Sequence, residues 1–267
     1  MAEVIEIDDP SDARLADFRN LSVADRRPDR PGGRGLVIAE GVVVVRRLLA
    51  SPYPLRGLLG VPHRIADLKH DLAAVDVPAY TVSPEIMAEV VGFHLNRGVL
   101  AAADRAPQAR AEELIAKSRV LAVLEGIGDH ENLGSLFRNA AALGVDGVLL
   151  GAGCADPLYR RSVRVSMGHV LRVPFGSLSP WPASIDLLRR NGFTVAALTP
   201  RRDARALRDC DLVGGKVAVL LGSEGEGLTE EAIGAADLAV RIPMVDGVDS
   251  LNVATAAAVV FYTLRAS

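Results

Sequence analysis

The sequence predicts an α/β fold in two parts, a small layered unit followed by a larger one with a mostly parallel sheet. Three observations carry that expectation. Short aliphatic runs alternate with helix-patterned stretches along most of the chain. The strand candidates of the second half are unbroken apolar runs, as strands covered on both faces require. Apolar residues make up 49% of the 267 residues but aromatics only 4%, so the core is built of Ala, Val and Leu.

Residues 1–18 are acidic and lack periodicity, which reads as a flexible leader. From Gly35 the alternation begins: GLVIAE as a strand, GVVVVRRLLA as a helix, LRGLLGV as a strand, RIADLKHDLAAV as a helix. PAYTVS follows as a strand, then SPEIMAEVVG as a helix opened by Ser83 and Pro84, then GVLAAA as a strand. This gives a small domain over 19–104. Residues 105–118 are charged, with Leu114 and Ile115 as their large apolar residues, and read as a linker. The second domain, 119–267, opens with the strand RVLAVLEGIG and a helix from about Asn132. GVLLG is a strand, 158–167 an arginine-rich helix and ASIDLLRRN a helix; FTVAALT and KVAVLLG are strands. TEEAIGAA is a helix, LAVRIP a short strand, and a last helix closes the chain. Sites in such sheets lie beyond the carboxyl ends of the strands, where three polar, glycine-bearing segments fall: 126–139, 222–227 and 243–252.

Composition excludes several classes. No apolar run reaches the roughly 20 residues of a membrane span, and the acidic start is unlike a signal peptide, so the cytoplasm is the expected location. Cys154 and Cys210 have no metal-ligand spacing and read as reduced structural thiols; no metal is expected. A net charge of −3 argues against nucleic-acid binding through the overall field. Locally, however, Arg19, Arg26, Arg27, Arg30, Arg34, Arg46 and Arg47 stand against three acidic residues, and Arg160, Arg161, Arg164 and Arg172 form a second cluster. Arginine's planar fork suits bidentate phosphate contact, although a solvated charged face explains either cluster equally well.

The stretch LLGSEGEGLTEE sits between a strand and a helix, where a phosphate loop belongs. Its glycines read G-x-x-G-x-G rather than G-x-G-x-x-G, and no Walker lysine follows. Glu224 and Glu226 would also set negative charge against a pyrophosphate. An acidic glycine turn suits a neutral or cationic ligand, and S-adenosylmethionine, a sulfonium without phosphate, meets that description. The plainer reading is a loop whose Thr229 caps the next helix. In GDHENLGSLFRNAAALGV, Leu133, Leu136, Phe137, Ala140 and Gly144 make one helix stripe that faces a core; Asn132, Ser135, Arg138 and Asn139 fall on the other half.

Taken in order, N-x-G-x-x-x-R-x-A, G-S-E-G-x-G-L and I-P-M-x5-S-L-N-V resemble the three motifs of the SpoU/TrmH family of SPOUT methyltransferases, over about residues 119–267. Residues 18–103 resemble, more loosely, the L30e-like RNA-binding domain that precedes the catalytic domain in ribosomal-RNA members. The resemblance implies an S-adenosylmethionine-dependent transfer of methyl to a ribose 2′-hydroxyl of RNA. It also implies a deep trefoil knot at the carboxyl end, which pattern alone would not propose. By the same analogy Gly222, Ile242 and Leu251 hold the cofactor mainly through backbone groups, and Thr199 and Met244 line its pocket. Arg138 is the matched catalytic arginine; Asn132, Glu224, Ser250 and Asn252 are the other matched polar positions. Arg19, Arg26, Arg27, Arg34, Arg160, Arg161 and Arg164 become candidate RNA contacts.

Two positions depart from the family pattern: His130 stands where proline usually follows Asp129, and Asp246 where glycine is common. The amino-terminal domain favours ribosomal over transfer RNA; a transfer-RNA enzyme and a non-catalytic RNA-binding SPOUT protein are the alternatives. The closing helix is apolar on nearly every side, with Asp249 or Ser250 as expected N-cap. Such a helix is expected to be buried all round, between its own sheet and a second copy in a homodimer, with Ala257 permitting the close approach.

Overall fold

The computed structural model describes residues 2–19, 21 and 33–265, and its contacts group into two compact units. One contains the chain up to Pro107 together with Asp156–Arg172; the other contains Gln108–Ala155 and the chain from Val173 onward.

The first unit is built on β1 (Val4–Glu6), β2 (Val37–Glu40), β3 (Leu55–Gly60), β4 (Ala79–Thr81) and β5 (Val99–Ala103), in the order β1-β4-β3-β5-β2. β1, β4 and β3 run parallel, whereas β5 is antiparallel to β3 and to β2. Its helices are α1 (Val42–Leu49), α2 (Pro62–Asp67), α3 (Lys69–Leu72) and α4 (Pro84–Val91). The Ser83 hydroxyl accepts from the Ile86 N–H at 3.2 Å, and Gly92 ends α4 at φ +87°, so cap and stop lie where the sequence sets them. The single helix expected over 64–75 is instead α2 and α3, broken at Leu68, whose N–H turns back to the Ile65 carbonyl.

The flexible leader is corrected. Val4–Glu6 pairs with Ala79–Thr81, and a 3-10 turn over Ala13–Phe18 buries Leu15 and Phe18 in the core. A three-residue strand is too short to show a period in an acidic stretch. Burial of those two side chains, at about 1.5–3 kcal/mol each, adds to the strand pairing and to buried Ile7 in holding the segment.

In chain order the second unit has α5 (Ala111–Lys117), β6 (Val120–Leu124), α6 (His130–Leu143) and β7 (Gly147–Leu150). The chain then gives α7 (Arg160–Val165) to the first unit and returns with β8 (Phe175–Ser177), α8 (Ile185–Arg190), β9 (Thr194–Leu198) and β10 (Arg205–Ala206). β11 (Val217–Leu221), α9 (Glu230–Ala235), β12 (Leu238–Arg241) and α10 (Val253–Arg265) complete it. The sheet order is β10-β12-β9-β11-β6-β7-β8 and each of these pairings is parallel, the α/β class expected. β8 and β10, of three and two residues, leave no trace in the sequence pattern.

Three further placements differ from expectation. The supposed linker carries α5, whose Ala111, Leu114 and Ile115 are spaced i, i+3, i+4 and join the second core. The arginine-rich α7 groups with the first unit, where the Arg47 guanidinium bonds the Met167 carbonyl and Arg105 pairs with Asp156. α10 packs on α6, with Asn139 Nδ2 donating to the Ala254 carbonyl at 2.8 Å, and its other side is open in the single chain. Val259 (39% exposed) and Tyr262 (68%) lie on an open face, while Ala257 is fully buried against its own chain. Ala257 therefore cannot be the point of approach for a second copy.

Candidate functional site

The polar segments at the carboxyl ends of β6, β9, β11 and β12 converge. β6 leads through Gly126 and Gly128 to Asp129, whose Oδ1 accepts from the Glu131 and Asn132 N–H groups at 2.9 and 2.8 Å and so caps α6. That cap sets Asn132 in the first turn, and the departure at His130 leaves the turn intact. β11 leads into Gly222, where an added Cβ would lie 2.2 Å from the Gly227 carbonyl carbon and 2.3 Å from the Leu228 nitrogen. Only glycine admits the loop's return there. Gly225 and Gly227 take φ of +95° and +74°, which bring the loop back to Ser223.

Asn252 ties these segments together. Its Nδ2 donates to Asn132 Oδ1 at 2.8 Å and to Glu224 Oε1 at 2.6 Å. Its Oδ1 accepts from the Ala254 and Thr255 N–H groups at 3.0 and 3.2 Å. Asn252, not Asp249 or Ser250, is thus the cap of α10. Because Oδ1 faces two donors and Nδ2 two acceptors, the amide orientation is unambiguous. One side chain closes the last helix and links one residue from each of the other two motifs.

Beside this net lies a cavity of about 480 Å³. Thr199, Gly222, Ile242, Met244 and Leu251, the five positions singled out for cofactor, all line it, with Glu224, Ser250 and Asn252. Leu198, Pro200 and Leu221 add apolar surface, and its described lining contains no arginine or lysine. A smaller cavity of about 160 Å³ adjoins, lined by Gly126–Asp129, Asn132 and again by Ser223, Glu224 and Val253. Glu224 thus borders both spaces. Of the matched polar set, Asn132, Glu224, Ser250 and Asn252 line one or both cavities. Arg138 does not: it is exposed on α6 and lines neither.

The arginines proposed for RNA have other contacts within the first unit. Arg19 donates to the Pro10 and Asp12 carbonyls, and Arg34 pairs with Asp17 at 3.2 Å. Arg164 lies 3.6 Å from the buried Glu40, and Arg160 sits 4.9 Å over the Phe93 ring. Arg161 is exposed on α7, and Arg26, Arg27 and Arg30 lie outside the described residues. Neither cysteine is bridged, and burial pushes the Cys154 thiol up, away from the reactive thiolate.

Sequence reasoning missed Glu125, a buried carboxylate directly after β6 that contacts Trp181 and Thr229. The available signal was a charged residue ending the apolar run VLAVL. Thr229 does cap α9, accepting from the Ala232 N–H at 3.3 Å.

The sequence model of the SpoU rRNA methylase family matches residues 119–262. An uncharacterized tRNA/rRNA methyltransferase of Mycobacterium tuberculosis is 54% identical over 262 residues, 97% of this chain and 91% of that protein. An rRNA methyltransferase of Sinorhizobium meliloti superposes with a TM-score of 0.81 at 23% identity, over 99% of this chain and 98% of that one. A structure described as an RNA 2′-O ribose methyltransferase superposes with a TM-score of 0.76 at 26% identity, over 97% of each chain.

Proposed function

The chain belongs to the SpoU rRNA methylase family of S-adenosylmethionine-dependent RNA methyltransferases, and from that premise we propose that it methylates a ribose 2′-hydroxyl of ribosomal RNA. The larger cavity is the observation that carries this reading. It joins apolar side chains, a glycine turn and the Glu224 carboxylate, without a cationic side chain in its described lining. A pyrophosphate would find negative charge there, whereas a sulfonium finds a complementary carboxylate. Gly222, Ile242 and Leu251 hold the cofactor by backbone groups, and Thr199 and Met244 flank it.

The bound cofactor supplies an electrophilic methyl group on sulfur. The chain's task is to bring the ribose oxygen into line with it, a positioning effect able to lower the barrier by about 7–11 kcal/mol. Asn132, Glu224, Ser250 and Asn252 form the polar wall on which the acceptor is oriented. The Arg138 guanidinium offers donors and no acceptor, so its role is to bind the neighbouring phosphate and stabilise the developing alkoxide.

Arg138 is exposed in a single subunit, and so are Val259 and Tyr262 on α10. We place these faces in a homodimer interface that completes the site; the closing segment then follows the family's trefoil knot. Tyr262→Glu should yield monomers by light scattering, and an unchanged mass, or a monomeric wild type, would overturn the interface. The cytoplasm is the expected place of work.

The ribose acceptor is supported by the 26%-identical 2′-O ribose methyltransferase structure, and ribosomal RNA by the amino-terminal unit. Transfer RNA is the second reading, favoured by the tRNA/rRNA description of the mycobacterial relative. Mapping 2′-O-methylation in RNA from cells with and without the gene decides between them. Loss at a ribosomal position is expected; loss at a transfer-RNA position would overturn the substrate, and loss of a base methylation the acceptor.

A further inference from the structure

Behind the cofactor cavity lies a carboxylate that no motif contains. Glu125 is 6% exposed. Its Oε1 accepts from the Trp181 indole N–H at 2.5 Å and from the Thr229 hydroxyl at 2.9 Å, and its Oε2 accepts from the Thr229 backbone N–H at 2.9 Å. Its own N–H donates to the Leu221 carbonyl at 2.9 Å. Leu221 and Thr229 are the two residues that flank the cofactor loop, 222–228. A single residue therefore ties down both ends of that loop.

The spacing of those ends matters because the loop closes on itself. The Gly222 Cα faces the Gly227–Leu228 peptide so closely that a methyl group would overlap it. A shift at Thr229 is transmitted to the Gly222 backbone that lines the cavity. The carboxylate also suits its surroundings better than an amide would. Three donors converge on two oxygens, and the Thr229 hydroxyl, which accepts from the Ala232 N–H at 3.3 Å, has its proton directed at Glu125. A glutamine would leave its NH₂ facing either the Thr229 N–H or the indole N–H, a buried donor against a donor. The indole reaches the carboxylate because residue 151 is glycine: a Cβ there would lie 2.6 Å from the Trp181 ring.

We propose that Glu125 is a positioning residue for S-adenosylmethionine, setting the geometry of the 222–228 loop by holding Leu221 and Thr229 at fixed separation. This rests on the cofactor reading above. The test compares full-length wild type, Glu125→Gln, Thr229→Ser and Thr229→Val by calorimetry with S-adenosylmethionine and by steady-state methyl transfer. Glu125→Gln should weaken cofactor binding about tenfold and raise the cofactor KM alike, with kcat at saturation within about threefold of wild type. Thr229→Ser, which keeps the hydroxyl and the N–H, should bind as wild type does; Thr229→Val should weaken binding by a smaller factor than Glu125→Gln. Should Glu125→Gln not fold, the serine–valine contrast carries the test alone. Unchanged affinity in Glu125→Gln, a fall in kcat at constant KM, or equal affinities for serine and valine would overturn the proposal. A wild type that does not bind S-adenosylmethionine would overturn the cofactor reading itself.

Discussion

The two units use their polar residues in opposite ways. In the first, charges neutralise one another: Arg34 and Arg56 pair with Asp17, Arg46 with Asp71, and Arg97 and Arg164 flank the buried Glu40. In the second, the amides and carboxylates at the strand ends converge around two adjoining cavities, joined through Asn252. Arg19, Arg34, Arg46, Arg47 and Arg164 of the two sequence clusters thus have partners in the first unit, whereas sparse polar residues at strand ends line the cavities. The reason is energetic. A charge cluster can satisfy itself locally, while an isolated polar side chain placed at the end of a buried strand must find a partner on another segment.

Substitutions on the two sides should therefore separate cleanly. The largest effect is expected from Gly222→Val, which forces side-chain atoms into the Gly227–Leu228 peptide; cofactor affinity should fall by more than about 100-fold in calorimetry. Retained binding would mean that the loop is not the cofactor wall. Arg138→Ala should lower kcat by about 10²–10³ while cofactor affinity survives, and substantial residual methylation would remove Arg138 from the chemistry.

Asn252→Ala breaks both the net and the α10 cap, so it should cost about 1 kcal/mol in thermal unfolding together with about a tenfold loss of kcat/KM. A loss of stability alone would make Asn252 a cap and nothing more. The smallest functional effect is expected from Arg164→Ala in the first unit. Removing the Arg164 charge beside the buried Glu40 should lower stability by about 1–2 kcal/mol with kcat unchanged. If kcat falls instead, the contrast between the units fails.

The sequence by itself determined the alternation of strands and helices, the parallel α/β class, the caps at Ser83 and Thr229, and the three segments that between them contribute to the two adjoining cavities. These are local properties: burial sets the run of apolar residues, and a cap needs only its own first turn. The tertiary structure decided the rest. The strand at Val4–Glu6 exists because β4 is there to receive it. α7 groups with the first unit through Glu40 and Arg47, residues distant in the chain. Glu125 was one charged residue after an apolar run until Thr229 and Trp181 closed on it. The net at Asn252 joins residues 120 and 28 positions apart. No local period encodes such a pairing, because loop closure and packing choose the partner, and hydrogen bonding then fixes it.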